Sequence, residues 1–445
     1  MATYIPPRHP LAVLQALGSL DAIESDSPQF VDTDAARGGV GTQNRLARKF
    51  GLDLASQDFF PTSSRHVLLF GPIGSGKSTE LRRLAKRLEE SKKLVPVMLN
   101  VRSEVDINNL QYADILMALA SAVLTKATTL GLTIEPARIQ ALKDWFKQQI
   151  ADEDTVKELI ADLTAGADVE VGVPFFTKLF SKFSSTMRTS STYKESVREV
   201  VKKSFTQFAS AFNELVLEVE TQLRTNGKGE RLLLIVDGTD KIPLDDAQRL
   251  FVYESEQLLA IDALVLYTAP ISLKFSIAGI SRLATDDALP IIKLTTMDGE
   301  RFDAGWTAMR EMLARRIDLS VFADDALIEK LIASSGGHPR ELLQLLTQVC
   351  LVCETATITD ADVEKALDRW ASQYRDWLSP DDYTLLARID AAKSNHDGND
   401  EQIKILLWRL ALLQYNDGSW RATHPIVKRL EGYRVALAKV KSESN

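Results

Sequence analysis

Residues 71–78 read Gly-Pro-Ile-Gly-Ser-Gly-Lys-Ser, between the apolar run His66–Phe70 and a helix-like stretch, Thr79–Leu88. A Gly-x-x-x-x-Gly-Lys-Ser octet in that setting, strand before and helix after, is a phosphate-binding loop. Its glycines let the backbone curl until several N–H groups face one anion, and the following helix adds the positive end of its dipole. Lys77 is the point charge for the β- and γ-phosphates, and the Ser78 hydroxyl is a ligand for Mg²⁺. Gly71, Pro72, Ile73, Gly74, Ser75, Gly76, Lys77, Ser78 and Thr79 are thus the expected nucleotide cradle. No guanine-reading Asn-Lys-x-Asp motif occurs, which favours ATP over GTP.

A chain of 445 residues exceeds one compact core, so two to four domains are expected. With 45% hydrophobic and 26% charged residues it reads as globular. A net charge of −8 gives no global attraction to nucleic acid, so any such contact must be a local patch. No apolar stretch reaches the ~18 residues of a membrane span. Met1–Pro10 lacks the charged-then-apolar order of a signal peptide. Cys350 and Cys353 form a C-x-x-C pair inside an apolar helical pattern, with no second Cys/His pair to complete a zinc site. Buried reduced thiols and a cytoplasmic location are expected.

Apolar runs at Leu94–Val101, Arg231–Asp237, Ala263–Thr268 and Pro290–Leu294 alternate with helical patterns. That alternation predicts an α/β fold with a parallel sheet covered on both faces. After Phe302 the strands stop, and four helical patterns between Ala304 and Tyr374 predict an all-helical unit. Two further helices, Tyr383–Lys393 and Glu401–Leu412, precede a hairpin-like Leu413–Thr423 whose Asn-Asp-Gly marks the turn. Helices followed by a hairpin predict a winged-helix module. The expected organisation is an N-terminal segment (1–65), a P-loop core (66–300) with a helical insertion at about 126–225, a helical lid (301–376) and a winged-helix-like domain (377–445).

Asp237 ends an apolar strand, expected to neighbour the phosphate-loop strand, and is the residue expected to hold the Mg²⁺ shell. Gly238 follows, where many ring-forming ATPases place a Glu that polarises the attacking water. Asp240 either takes that role, with slow hydrolysis, or pairs with Lys241 or caps the next helix. Thr268, at the end of the next strand, is expected to face the γ-phosphate. Arg282 heads the polar loop Leu283–Pro290 and is either an arginine offered to a neighbouring subunit or a solvated loop residue. In Ser335–Leu342, Gly-Gly breaks one helix, Pro339 starts the next, and Arg340 rides at its N-terminus. A helix N-terminus repels a cation, so Arg340 is expected to meet an anion.

Together these residues resemble the AAA+/STAND superfamily, in the branch close to the origin-recognition initiators. The resemblance implies Walker A at Gly71–Ser78 and Walker B at Leu232–Asp237. It further implies sensor 1 at Thr268, an arginine finger at Arg282, and sensor 2 at Gly337–Arg340 in the lid. Gly-Lys-Ser-Thr-Glu-Leu81, with Phe30-Val-Asp and Ala-Arg37 upstream, resembles bacterial STAND-like NTPases of signalling and phage defence. The absent Glu after Asp237 departs from AAA+ machines, and no tetratricopeptide, WD or leucine-rich sensor follows.

The segment Gly172–Lys194 carries Lys178, Lys182, Arg188 and Lys194 and no acid, with Phe175, Phe176, Leu179, Phe180 and Phe183 at helical spacing. It reads either as a helix packing its Phe stripe on the core with lysines in water, or as a grip on a partner, membrane surface or nucleic acid. Two functional readings follow. One is a Mg²⁺-dependent, slowly hydrolysing ATP switch that controls a homo-oligomer or a complex with an effector protein. The other is a DNA-binding ATPase of the initiator or transposition-regulator type, with the basic tail Arg421–Lys441 on DNA. Against the second, the groove helix Glu401–Leu412 is mostly apolar.

Overall fold

The computed structural model describes residues 4–18, 21–38, 41–63, 65–134, 145, 191–275, 286–392, 401–416 and 420–443. Helices of eight or more described residues are labelled in chain order. They are α1 (Thr42–Lys49), α2 (Lys77–Ser91), α3 (Tyr112–Thr129), α4 (Ser191–Lys203), α5 (Phe205–Thr225), α6 (Asp303–Ala314), α7 (Asp325–Ser334), α8 (Pro339–Val352), α9 (Asp360–Arg375), α10 (Pro380–Ala392), α11 (Glu401–Trp408) and α12 (Glu431–Glu443). Strands are β1 (Arg65–Gly71), β2 (Leu94–Asn100), β3 (Arg231–Asp237), β4 (Leu264–Pro270), β5 (Asp286–Ala288), β6 (Leu412–Tyr415) and β7 (Trp420–Thr423). The chain divides into two compact units. One comprises Met1–Thr42, Phe70–Arg83 and Ala288–Asn445; the other comprises Gln43–Leu69 and Leu84–Asp287.

The second unit is built on a five-stranded sheet of order β2-β3-β4-β1-β5. β3 runs parallel to β2, from Leu94 opposite Arg231 to Asn100 opposite Asp237, and parallel to β4. Every residue of β4 is buried, as are six of the seven in β3, which requires cover on both faces. α3 packs on β2 and α5 on β3. The expected fold class holds: a parallel P-loop sheet, helices, and a small antiparallel hairpin. One expectation is corrected, because β4 lies between β3 and β1, so Asp237 does not end the strand next to the phosphate loop's own.

α3 and α4 are joined by a buried ion pair. The Arg198 guanidinium donates through Nε to Asp114 at 2.9 Å, and both side chains are about 1% exposed. Lys194 is also inside, donating to the Asp106 carboxylate at 2.9 Å and the Asn108 carbonyl at 3.0 Å. It is thus not one of the solvated lysines of the basic segment. The stem of a lysine buries readily when its three N–H donors are met. Phe175, Phe176, Leu179, Phe180, Phe183, Lys178, Lys182 and Arg188 lie outside the described residues.

In the first unit, α6 to α9 form the helical stretch and α10, α11, β6, β7 and α12 the last module, with β6 antiparallel to β7. The predicted strand at Pro290–Leu294 is corrected to Asp286–Ala288. The Leu289 N–H still reaches the Phe70 carbonyl at 2.8 Å, but Pro290 has no N–H and the ladder stops. α11 ends at Trp408, four residues before the predicted end, because Leu412 already belongs to β6. Its Ile403, Leu406 and Leu407 are buried and its Lys404 pairs with Glu401. Cys350 and Cys353 are buried free thiols, and burial pushes Cys350 up to about 12. Among the described residues no helix is long and apolar enough to cross a membrane.

Candidate nucleotide site

The phosphate loop belongs to the first unit, where β1 hands over to α2. Gly74 and Gly76 have φ of +90° and +104°, a backbone region that a side chain makes costly. A Cβ on Gly71 would lie 2.9 Å from the Leu289 carbonyl oxygen. These glycines therefore serve the curl of the loop and its close packing. The first N–H groups of α2, from Lys77 onward, have no intrahelical acceptor and end the loop as donors. Ser75 Oγ is buried without a hydrogen-bond partner among the described residues, a polar atom inside the cradle. Such a cradle fits a phosphate group.

Lys77 folds back onto its own loop. It is buried, and its ammonium donates to the carbonyls of Gly71 at 2.7 Å and Pro72 at 2.9 Å. The loop turns those carbonyls toward its own lysine, which satisfies donors that burial would otherwise leave costly. Ser78 lies in the first turn of α2.

Two elements close on this loop. The lid helix α8 begins at His338, whose Nδ1 accepts the Glu341 N–H at 3.1 Å as its N-cap. The other ring nitrogen, Nε2, is then the donor, and it reaches the Ile73 carbonyl at 3.0 Å. Full burial, aided by the nearby Arg340 and Lys77 charges, pulls His338 down to about 3, so the ring is neutral. Arg340 follows: a Cβ on Gly74 would lie 2.7 Å from Arg340 Cβ and 2.9 Å from its Cδ. The guanidinium of Arg340 makes no hydrogen bond or ion pair with any described residue. Pro339 occupies the first turn of α8, as the sequence predicts.

The second element, Asp34–Arg37, contributes a residue to which the sequence reading gave no role. Arg37 is buried, with Nε donating to Thr33 Oγ1 at 2.9 Å and Nη2 to the Ser75 carbonyl at 2.6 Å. Its Nη1 holds the Pro290 carbonyl. Burial lowers it to about 10, partly offset by Glu80 and Asp34, and it stays charged. A cation thus sits behind the anion cradle. The available signal was an arginine in an Ala-Ala-Arg-Gly-Gly stretch otherwise without charge, too common a pattern to read alone.

In the second unit, the ends of β3 and β4 gather the acidic candidates. Asp237 and Asp240 are both buried. Gly238 has φ +97°, so this position accommodates a Glu only with strain. Thr268 is fully buried, and its Oγ1 accepts the Gly238 N–H at 3.0 Å and lies 3.2 Å from Thr239 Oγ1. Thr239 in turn donates to the Thr268 carbonyl. Thr268 therefore fixes the turn after Asp237, a positioning role. Arg282 lies outside the described residues. The Ser78 hydroxyl and, separately, the Asp237 carboxylate are each of the oxygen-donor type that Mg²⁺ takes.

No protein-family model matches the chain, and no curated protein matches it. Among solved structures, Cdc6p from Pyrobaculum aerophilum is 11% identical over 94% of this chain and 100% of that chain, with a TM-score of 0.35. The Aeropyrum pernix ORC2 protein, solved as ADPNP-ADP complexes, is 13% identical over 100% of this chain and 97% of that chain, with a TM-score of 0.38.

Proposed function

We propose that this chain is a Mg²⁺-dependent ATP-binding switch that hydrolyses slowly and reports its nucleotide state through the lid. One observation carries the reading: the first turn of α8 lies against the phosphate loop, with His338 on the Ile73 carbonyl and Arg340 beside Gly74. The loop N–H groups, Arg37 and the α2 dipole supply the anion cradle. Lys77 leaves the Gly71 and Pro72 carbonyls for phosphate. The Arg340 guanidinium, with no ion pair among the described residues, is the group that distinguishes a triphosphate from a diphosphate. Ser78 and Asp237 are the proposed holders of Mg²⁺, which supplies charge neutralisation on the phosphates when bound. Slow turnover is inferred from the left-handed backbone at Gly238, with Asp240 the proposed base.

The resemblance of Gly76–Leu81 and Phe30–Arg37 to STAND-like NTPases supports a switch of bacterial signalling or phage defence, acting in an oligomer or an effector complex. The test is paired. Lys77→Ala should abolish ATP binding, and Arg340→Ala should bind ATP but answer it as the native chain answers ADP, read by protease protection of residues 300–340. A charge-assisted contact of about 1.5–3 kcal/mol corresponds to a roughly 10- to 150-fold shift. ATP retention by Lys77→Ala would overturn the site.

A second reading, the DNA-binding ATPase, is favoured by one feature. A groove of about 1170 Å³ between α9, α10 and α12 is lined by Arg375, Arg429, Arg434 and Lys439. Arg429 there already pairs with Glu364 and Asp368. A steep fall of DNA affinity with salt would decide for this reading.

A further inference from the structure

On the lid, a cavity of about 280 Å³ is lined by Glu341, Gln344, Trp370, Tyr374, Trp377 and Arg409, among others. Glu341 is 5% exposed, and its Oε2 has no hydrogen-bond partner. His424 Nε2 stands 3.9 Å away, beyond hydrogen-bonding reach. His424 is itself fully buried, with Nδ1 accepting the Ile426 N–H at 3.2 Å. Nε2 is therefore its N–H, and it too has no acceptor. Trp370 Nε1 is buried and makes no hydrogen bond among the described residues, although it acts on the Glu341 carboxyl as a donor nearby. A carboxylate oxygen removed from water without a hydrogen bond is costly, and natural interiors rarely leave one without a reason. Burial pushes the Glu341 carboxyl up to about 7, outweighing the opposing pull of Trp370 and Arg340.

The walls are aromatic. Tyr374 and Trp377 have ring centroids 6.0 Å apart and are tilted by 44°. Trp377 already carries a guanidinium, that of Arg409, 4.8 Å from its centroid. Arg409 is exposed at the rim and acts electrostatically on Asp382, so its charge is answered there. The volume lies below the ~300 Å³ at which drug-sized pockets begin, which suits a side-chain-sized group.

We propose that this cavity binds a guanidinium or alkylammonium group, received by Glu341 and walled by Trp370, Tyr374 and Trp377. A planar guanidinium matches both features, because it pairs with a carboxylate in two parallel hydrogen bonds and stacks on indole faces. The binding site stands independently of the nucleotide reading. Its consequence rests on that reading: the Glu341 N–H is capped by His338, which holds the Ile73 carbonyl, and Arg340 is the preceding residue. Seating a cation on Glu341 then acts on the same helical turn that meets the phosphate loop.

The experiment is a titration of the full chain with agmatine, followed by tryptophan fluorescence and calorimetry, with N-butylurea as the uncharged control. Saturable agmatine binding is expected, with none for the urea. Glu341→Gln and, separately, Trp377→Leu should weaken it by about tenfold or more, the loss of some 1.4 kcal/mol. Two variants are used because either alone could disturb packing. No saturation up to millimolar agmatine, or unchanged binding by Glu341→Gln, would overturn the proposal. An acetylated, amidated arginine peptide binding more tightly than agmatine assigns the group to a protein partner; the reverse order assigns it to a free metabolite. Coupling is read as a change in ATP affinity with agmatine present, equal to the change in agmatine affinity with ATP present. Lys77→Ala should keep agmatine binding and lose that coupling, so failure of the nucleotide site is told apart from failure of this one. Agmatine binding with no effect on ATP affinity in the native chain would overturn the coupling.

Discussion

His338 donates from Nε2 to the Ile73 carbonyl at 3.0 Å while its Nδ1 accepts the Glu341 N–H at 3.1 Å. Both bonds require the neutral ring, and burial holds the group near 3 against an ordinary 6.5. Between those values the unfolded chain takes up a proton that the folded chain refuses. Folded stability from this residue is therefore complete above about pH 6.5 and falls as pH drops toward 3. Glu341 has the opposite sign, since at about 7 against 4.5 it holds a proton that the unfolded chain releases. The contribution of His338 is isolated by comparison with His338→Gln. Denaturant midpoints between pH 6 and 4.5 should fall less steeply for the variant, by about 1.4 kcal/mol per pH unit. Parallel curves would refute the neutral ring.

Gly74→Ala should separate lid from loop. The new methyl meets Arg340 Cβ at 2.7 Å and His338 Cε1 at 2.8 Å on a backbone with φ +90°. Strain of about 1–2 kcal/mol from the left-handed backbone alone is expected, plus a displaced first turn of α8. A lowered melting temperature with weakened ATP binding, measured by calorimetry, is the expected result; native-like values for both would show that the contact is slack.

Restoring the acid that ring-forming ATPases carry after Asp237 should fail. Gly238→Glu places a side chain at φ +97° and 3.4 Å from Arg102 Cγ. Hydrolysis should stay at or below the native rate, with a loss of about 1–2 kcal/mol in stability. A tenfold gain in phosphate release at unchanged melting temperature would show that the turn adapts freely.

The Arg198–Asp114 pair tests how the second unit holds α4 on α3. Asp114 also accepts the Gln111 N–H at 2.9 Å, so it serves as both counter-ion and cap. Asp114→Ala should cost about 3–5 kcal/mol by leaving a buried guanidinium unpaired. Asp114→Ala with Arg198→Met should recover a large part of that, as seen by urea unfolding. Additive losses in the double variant would refute an uncompensated charge as the cause.

Strong local patterns made the sheet legible, since β3 and β4 carry the apolar runs Leu232–Val236 and Leu264–Tyr267 and the Gly-rich octet lies between a strand and a helix. Strand order was not legible, because nothing in the apolar run Arg231–Asp237 says that β4 comes between it and β1. Pro290 misled in a different way: Ile291, Ile292 and Leu294 are buried as a strand would be, yet the ladder ends before them. Among site residues, Arg340 announced itself by sitting where a helix dipole disfavours it. Arg37 and His338 did not, because their roles are hydrogen bonds to main-chain carbonyls of Ser75 and Ile73, which leave no trace in side-chain chemistry.

The interleaving of the two units along the chain has a consequence for biosynthesis. Met1–Thr42 emerges first, but its unit is completed only from Ala288 onward, about 250 residues later, a wait of roughly 12–50 s at about 5–20 residues/s. During that interval Arg37 lacks the Pro290 carbonyl, and the phosphate loop lacks the lid turn at His338 and Arg340. The nascent chain thus passes through a stage in which its nucleotide cradle has been synthesised but has nothing to close on.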